Sequence, residues 1–255
     1  SSQWRMEPGV PLVVAGVNDE DAADHEGIIA NPNCSTMQLM PLFKALRDAV
    51  GMKRVIVDTY QAVSGSGNKA VAELEGQVKA YAAGEPLEAS VYPYPIAFNV
   101  LPHIDVFRED GYTKEEWKVT VETRKILHLP ELPVSCTAVR VPVITSHSEA
   151  VHVELEGSMG PDEARELFAG VPGVIVRDDP ANAVYPLPID GAGVDDVFVG
   201  RIRADASLPA GKGLVFWVVS DNLRKGAATN AVEIAEVVVR NDWLRKASER
   251  VTGIA

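Results

Sequence analysis

The chain has 255 residues, of which 46% are hydrophobic and 24% charged, and its formal net charge is −12. This size and composition are typical of a globular protein with one large or two small domains. The negative balance argues against nucleic acid or an anionic membrane as the main partner, and no apolar run approaches ~20 residues. Its two cysteines, Cys34 and Cys136, match neither a disulfide framework nor a zinc site. We therefore expect no metal and a reducing, cytoplasmic setting.

The first apolar segments lead to a cysteine. Residues 11–17 and 27–30 are short apolar runs that predict buried strands. Pro32 ends the second run, and from Cys34 onward apolar residues recur with helical spacing. Free N–H groups and the positive end of the dipole at a helix start favour a thiolate, which is a nucleophile. Position alone also fits a small buried hydrophobic residue.

A glycine-rich turn follows the next predicted strand. Residues 54–60 form an apolar strand pattern, and residues 61–68 are rich in serine and glycine. Glycines at this point let the backbone approach a ligand closely, and a helical pattern begins behind them. The same residues also fit an ordinary strand-to-helix turn.

The middle of the chain combines a long connection with a helix. Residues 85–105 contain several prolines, which predict an irregular surface connection, and residues 114–127 have helical spacing. Glu115 and Lys118 are three residues apart and share a face of this helix. By itself that spacing is typical of a solvated ion pair.

Two alternating segments surround a histidine. Residues 134–143 and 150–155 alternate as half-buried strands, and we interpret them as an antiparallel pair covered on one face. In the first strand the valines face one way and Arg140 faces the other. His147 lies in the polar link between the strands, where a histidine is ordinarily solvated.

The rest of the chain is predicted to form two helices with three strands between them. The pattern predicts a short helix over 161–169, strands over 174–176, 197–199 and 214–219, and a final helix over 227–244. The intervening segment 181–196 is predicted to be a loop.

Six stretches together give the chain a close resemblance to the aspartate-β-semialdehyde dehydrogenase family, in that family's order and nearly end to end. They are SSQWRM at 1–6, NPNCST at 31–36, YQAVSGSG at 60–67, EEWK at 115–118, RVP with HS within 140–148, and DNLRKGA at 221–227. The resemblance implies an α/β fold: a mixed, largely antiparallel sheet with helices on one face, as in glyceraldehyde-3-phosphate-dehydrogenase-like catalytic domains. It also implies a homodimer built through that sheet.

The resemblance implies a reaction and its residues. Aspartyl 4-phosphate would be reduced by NADPH to aspartate 4-semialdehyde and phosphate, with Cys34 as the nucleophile that forms a thioacyl intermediate and His147 as the acid–base. The substrate-binding positions of the family fall on Gln61, Glu115 and Arg140, the phosphate-binding positions on Arg5, Asn33 and Lys118, and the cofactor-binding positions on Ser64, Gly65 and Asn222.

The glycine-rich segment with which the family binds the cofactor pyrophosphate is not found: no G-x-G-x-x-G follows a predicted strand. We therefore expect residues 1–33 to be the end of a dinucleotide-binding domain, residues 34–222 to be the catalytic and dimerisation domain, and residues 223–255 to be a helix that packs back on the first domain. On this interpretation the chain by itself would be inactive.

Three alternatives remain open. The related N-acetyl-γ-glutamyl-phosphate reductases share the fold and the chemistry, but an acetylated amine needs no partner such as Glu115. A Cys/His hydrolase would use Cys34 and His147 without a nicotinamide. A third possibility is a fragment that dimerises and binds substrate without activity of its own.

Overall fold

The computed structural model describes residues 2–244. Its centre is a six-stranded sheet in the order β2-β1-β3-β6-β5-β4. The strands are β1 Met52–Gln61, β2 Val134–Arg140, β3 His147–Leu155, β4 Val174–Val176, β5 Val197–Ala204 and β6 Gly213–Ser220. The β1–β2 and β4–β5 pairs are parallel and the three pairs between them are antiparallel. The prediction of a mixed, largely antiparallel α/β fold is confirmed.

The described residues form six α-helices, three of which cover one face of the sheet. The six are α1 Cys34–Val50, α2 Asn68–Ala83, α3 Lys114–Ile126, α4 Pro161–Ala169, α5 Pro188–Gly191 and α6 Asn230–Arg240, the last preceded by a π-helical turn, Arg224–Thr229. Side chains of α1, α3 and α4 share one core with alternate residues of the strands. Within residues 2–244, no helix combines the length and apolarity that a membrane crossing requires.

The opposite face of the sheet is only partly covered. Along β3, Val151 and Val153 point into the core, whereas Ala150 and His152 between them are half-buried on the other side. On β1 the ring of Tyr60 is 38% exposed. A face of this kind is suited to contact with another protein surface.

The predicted antiparallel pairing of residues 134–143 with 150–155 is wrong. Strands β2 and β3 lie on opposite sides of β1, and β2 runs parallel to β1. A parallel neighbour requires a long crossover, which the segment containing α2 and α3 supplies. Arg140 is also on the buried face of β2, with Cys136 and Ala138, whereas the sequence pattern had placed the valines there.

The first two predicted strands are also not formed. Residues 11–17 and 27–30 make one isolated bridge, between Leu12 and Ala30. Both residues are nevertheless buried in the main core. An apolar run can be buried by packing alone when its backbone groups find local hydrogen bonds, so burial here does not indicate a sheet.

Candidate active site

The cysteine singled out by the sequence is the first residue of α1. Asn33 forms the N-cap, because its Oδ1 accepts hydrogen bonds from the backbone N–H groups of Ser35 at 2.9 Å and Thr36 at 3.4 Å. Such a cap satisfies N–H groups that a helix start otherwise leaves free. The prediction that a helix begins at Cys34 is confirmed.

The thiol is not ionised in this state. Burial, followed by the charge of Glu115, raises the pKa of Cys34 to about 12, and Arg140 opposes this only in part. The expectation that the helix start favours a thiolate is therefore wrong for the unliganded protein. Desolvation acts on the whole charge of the sulfur, whereas the helix terminus contributes only a partial charge.

His147 is buried at the start of β3 rather than solvated in a link. Its Nδ1 accepts a hydrogen bond from the backbone N–H of Ala62 at 3.0 Å. Burial and then the charge of Arg140 lower the pKa of His147 well below its usual range. The ring is thus neutral at pH 7, and because Nδ1 is an acceptor the proton resides on Nε2. Within residues 2–244 this Nε2 has no hydrogen-bond partner.

Arg140 is the last residue of β2 and lies near His147. Its Nη1 donates to the backbone oxygen of Ala62 at 2.7 Å, and its Cζ lies 5.9 Å from the ring centroid of Tyr92. Arg140 is 4% exposed, and its Nε is buried with no hydrogen-bond partner in the described chain. A buried guanidinium with a free N–H is suited to bind an anionic ligand.

Gly65 borders both of these side chains. A Cβ at this position would lie 3.2 Å from Arg140 Nη1 and 3.2 Å from His147 Nε2. Because both neighbours are buried, neither can move away easily, and only glycine leaves room here. The structure thus brings Gly65 together with two residues that follow it by more than 70 positions in the sequence.

A carboxylate on α3 connects further predicted residues. Glu115 Oε1 accepts from Asn33 Nδ2 at 2.8 Å and from Gln61 Nε2 in a long contact of 3.5 Å. Its Oε2 accepts from Lys118 Nζ at 3.1 Å, and Lys118 also donates to Asp105 at 2.8 Å. Burial would lower the pKa of Lys118, but the two carboxylates outweigh it and raise that pKa. The charged groups of this cluster are therefore already paired.

The remaining predicted residues occupy the edges of the same region. Arg5 Nε donates to the backbone oxygen of Asn31 at 2.9 Å, just before α1. Asn222 Nδ2 donates to Ser64 Oγ at 3.0 Å, and Asn222 Oδ1 accepts from the backbone N–H of Ser146 at 3.0 Å. Ser64 and Asn222 therefore adjoin the segments that carry Gly65 and His147.

Sequence reasoning missed three residues of this region. Gly226, in the π-helical turn, packs on the nucleophile, since a Cβ there would lie 3.0 Å from Cys34 Cβ. Glu149 is fully buried on β3, two residues after His147. Glu122 follows Glu115 by seven residues on α3. Glu115, Lys118 and Glu122 therefore share one face of the helix, and this spacing could have revealed Glu122.

Glu149→Gln is expected to stabilise the protein more at pH 8 than at pH 4. Burial raises the pKa of Glu149 well above its usual range, and contacts from Gln38 and Ser35 offset only part of this. In the unfolded chain the carboxyl group of Glu149 loses its proton near pH 4.3, whereas in the folded chain it retains the proton to a higher pH. The stability of the wild type therefore falls as the pH rises from about 4.3 to the folded pKa. Each unit of difference is worth about 1.4 kcal/mol.

Urea unfolding at several pH values measures this effect. Glu131→Gln, at an exposed position, controls for the loss of one negative charge. If Glu149→Gln changed the free energy of unfolding by the same amount at pH 4 and pH 8, the assignment of Glu149 as a neutral buried carboxyl group would be contradicted.

Comparison with known proteins agrees with this architecture. The profile of the semialdehyde dehydrogenase dimerisation domain matches residues 43–225. Aspartate-semialdehyde dehydrogenase of Aquifex aeolicus is 56% identical over 243 residues, covering 94% of this chain and 71% of the relative. The structure of aspartate semialdehyde dehydrogenase II from Vibrio cholerae, complexed with ASA, superposes with a TM-score of 0.90 at 44% identity, covering 94% of this chain and 70% of that one.

A more distant structure shares the fold. Aspartate semialdehyde dehydrogenase with NADP from Candida albicans has a TM-score of 0.70 at 24% identity, covering 95% of this chain and 70% of that one. The fold and the cysteine at the start of α1 define an oxidoreductase of the semialdehyde dehydrogenase class. Within that class, the chain belongs to the aspartate-semialdehyde dehydrogenase family.

Proposed function

We propose that this protein catalyses the NADPH-dependent reduction of L-aspartyl 4-phosphate to L-aspartate 4-semialdehyde with release of phosphate. The observation that carries the proposal is the convergence of Cys34 with buried Arg140 and His147. Ala62 accepts a hydrogen bond from Arg140 and donates one to His147, and Gly65 borders both side chains. Asn33, next to Cys34, and Gln61, next to Ala62, both donate to Glu115. A cation so placed can hold a substrate carboxylate while the nucleophile acts nearby.

The substrate would be held by groups of complementary charge. The free Nε of Arg140, with its guanidinium fork, is suited to the α-carboxylate. Glu115 supplies a carboxylate for the α-ammonium group, and Gln61 beside it would orient the chain of the substrate. An amino acid with a free amine brings a positive charge to Glu115, whereas an acetylated amine brings none.

The phosphate would be held by Arg5, Asn33 and Lys118. Lys118 is paired with Glu115 and Asp105 before the ligand arrives. We propose that the phosphate displaces Asp105 from Lys118, since Asp105 is partly exposed and Glu115 is buried. This exchange would free Lys118 for the anion without leaving a buried charge unpaired.

The thiol of Cys34 must lose its proton as it attacks. The sulfur bonds to the acyl carbon and the bond from that carbon to the phosphate oxygen breaks. The phosphate would leave with the thiol proton as hydrogen phosphate, and a thioester remains on Cys34. Because Ala62 holds Nδ1, the resting tautomer of His147 presents Nε2–H, which can donate to the oxygen of the tetrahedral intermediate. Acceptance of the thiol proton at Nε2 would require the ring to give up its bond to Ala62.

The cofactor would lie against Ser64, Gly65 and Asn222. The glycine leaves space beside His147, and the Ser64 hydroxyl and Asn222 amide, which bond to each other, would exchange that bond for polar parts of a nicotinamide. NADPH, when bound, supplies the hydride that reduces the thioester carbon and releases the aldehyde. The sulfur then returns to the thiol state by taking up a proton.

We further propose that the protein is a homodimer formed through the open face of the sheet. Support comes from the half-exposed residues there, including Tyr60 and Trp217, whose ring centroids are 5.3 Å apart. The domain division at residues 34 and 223 belongs to the same proposal. So does a cytoplasmic setting, for which the two free cysteines argue.

An assay of two aldehyde substrates in parallel tests the function. Phosphate-dependent reduction of NADP is expected with aspartate semialdehyde, with a kcat/KM at least ~100-fold above that for N-acetylglutamate semialdehyde, because an acetylated amine offers Glu115 no positive charge. The protein in its complete form is assayed first, and residues 1–255 alone second. Equal or reversed preference would favour the N-acetylglutamyl alternative, and thioester hydrolysis without NADP would favour a hydrolase.

A further inference from the structure

Glu122 on α3 holds the segment that leads into the nucleophile. Its side chain is 1% exposed, and its Oε2 accepts a hydrogen bond from the backbone N–H of Asn33 at 2.6 Å. Asn33 is the N-cap of α1 and directly precedes Cys34. A short, charge-assisted bond to this N–H fixes the main chain one residue before the sulfur.

The same carboxylate also holds Arg5. Its Oε1 accepts from Arg5 Nη1 at 3.0 Å, and Arg5 Nε donates to the backbone oxygen of Asn31 at 2.9 Å. Arg5 is therefore attached both to Glu122 and to the turn that Glu122 holds. Glu122 and Arg5 together form a bracket around residues 31–33.

This bracket joins two groups with different proposed tasks. Arg5 is a proposed phosphate ligand, and Asn33 positions Cys34. The carboxylate of Glu122 has one oxygen for each of them. A displacement of Glu122 would consequently disturb the phosphate site and the nucleophile at the same time.

We propose that Glu122 is a positioning residue that fixes Arg5 relative to Cys34, so that the phosphate of the substrate is held where the sulfur can attack the adjacent carbonyl carbon. This inference rests on the proposed function. Glu122 need not touch the substrate to act, because both of its oxygens are engaged by the protein.

Glu122→Gln tests this inference with little change in volume. Both partners of Glu122 are donors, whereas an amide has one acceptor and one donor group, so one partner must lose its bond. In phosphate-dependent oxidation of aspartate semialdehyde by the complete protein, we expect the KM for phosphate to rise ~10- to 100-fold and kcat to fall ~10-fold. Glu122→Asp, which keeps the charge, should lie between Glu122→Gln and wild type.

A double-mutant cycle shows whether the effect passes through Arg5. Arg5→Gln should raise the KM for phosphate, and Arg5→Gln combined with Glu122→Gln should match Arg5→Gln within about twofold. Multiplicative effects of the two substitutions on this KM would overturn the inference. So would a wild-type KM for phosphate in Glu122→Gln.

Alkylation of Cys34 by iodoacetamide gives a readout that does not depend on turnover. The rate constant is expected to change at least ~3-fold in Glu122→Gln, because the main chain at Asn33 is released. Glu116→Gln is the matched control, since Glu116 is also buried on α3 and accepts two backbone N–H groups, from Thr113 and Ala138. It should lower stability to a similar extent and leave the alkylation rate within about twofold.

The two proposals fail in different ways. If the wild-type protein has no activity, the proposed function is overturned, and alkylation of Cys34 still decides whether Glu122 sets the position of the nucleophile. If the wild type is active and Glu122→Gln behaves like Glu116→Gln, the inference about Glu122 is overturned and the function stands. Should Glu122→Gln fail to fold, Glu122→Asp supplies the same comparisons.

Discussion

Cys34→Ser is expected to lower phosphate-dependent turnover of aspartate semialdehyde at least ~10⁴-fold, equivalent to about 5.5 kcal/mol in the barrier. The serine oxygen is a poorer nucleophile than sulfur, and its ester resists reduction and transfer more strongly than a thioester. Substrate affinity should change little, because the proposed binding groups are left in place. Steady-state kinetics that separate kcat from KM measure this result.

Cys136→Ser is the matched control. Cys136 is 3% exposed within the sheet core, whereas Cys34 is only partly buried, so iodoacetamide is not expected to reach Cys136 at neutral pH. The variant should lose stability and keep its kcat. Activity that survives Cys34→Ser, or equal alkylation of both cysteines, would contradict the assigned role of Cys34.

Arg140→Lys is expected to lower kcat/KM by ~10²- to 10³-fold, mainly through a higher KM for the amino acid substrate. Lysine keeps the positive charge but loses the planar fork that binds a carboxylate through two N–H groups. It also cannot keep the bond to the Ala62 backbone oxygen and reach the ligand in the same geometry. Arg140→Met should be worse, because it removes the charge that lowers the pKa of Cys34 and His147.

Arg124→Lys controls for the loss of a guanidinium away from the site. Arg124 lies on α3 and its Nε donates to the backbone oxygen of Leu132 at 2.7 Å. This variant should be less stable but should retain its KM for substrate. A normal KM in Arg140→Lys, measured in the same assay, would exclude Arg140 as the carboxylate ligand.

Helices were predicted better than strand pairings. Helix α4 begins at Pro161 and ends at Ala169, as its sequence pattern predicts, because proline is favoured in the first turn and Gly170 follows the end. Helix α3 begins behind Thr113, which forms a capping box with Glu116. These signals lie within a few residues, so they can be recognised without knowledge of the fold.

The pairing of strands depends on contacts that no local pattern specifies. The β2 and β3 segments are adjacent in sequence and alternate in polarity, which favours a hairpin, yet β1 lies between them. The face of β2 that is buried was likewise not predictable from its valines. Arg140 is buried because it belongs to a polar site, and the sequence period does not distinguish a polar site from solvent.

The sequence by itself determined the family, through six ordered motifs, and the start of α1 at Cys34, through a proline break and the helical spacing behind it. It could not determine the protonation of Cys34 and His147, because burial and the charge of Arg140 act on both pKa values and Glu115 also acts on that of Cys34. Only the tertiary structure places those charges. Electrostatic energies depend on distance and desolvation in space, and separation along the chain carries neither quantity.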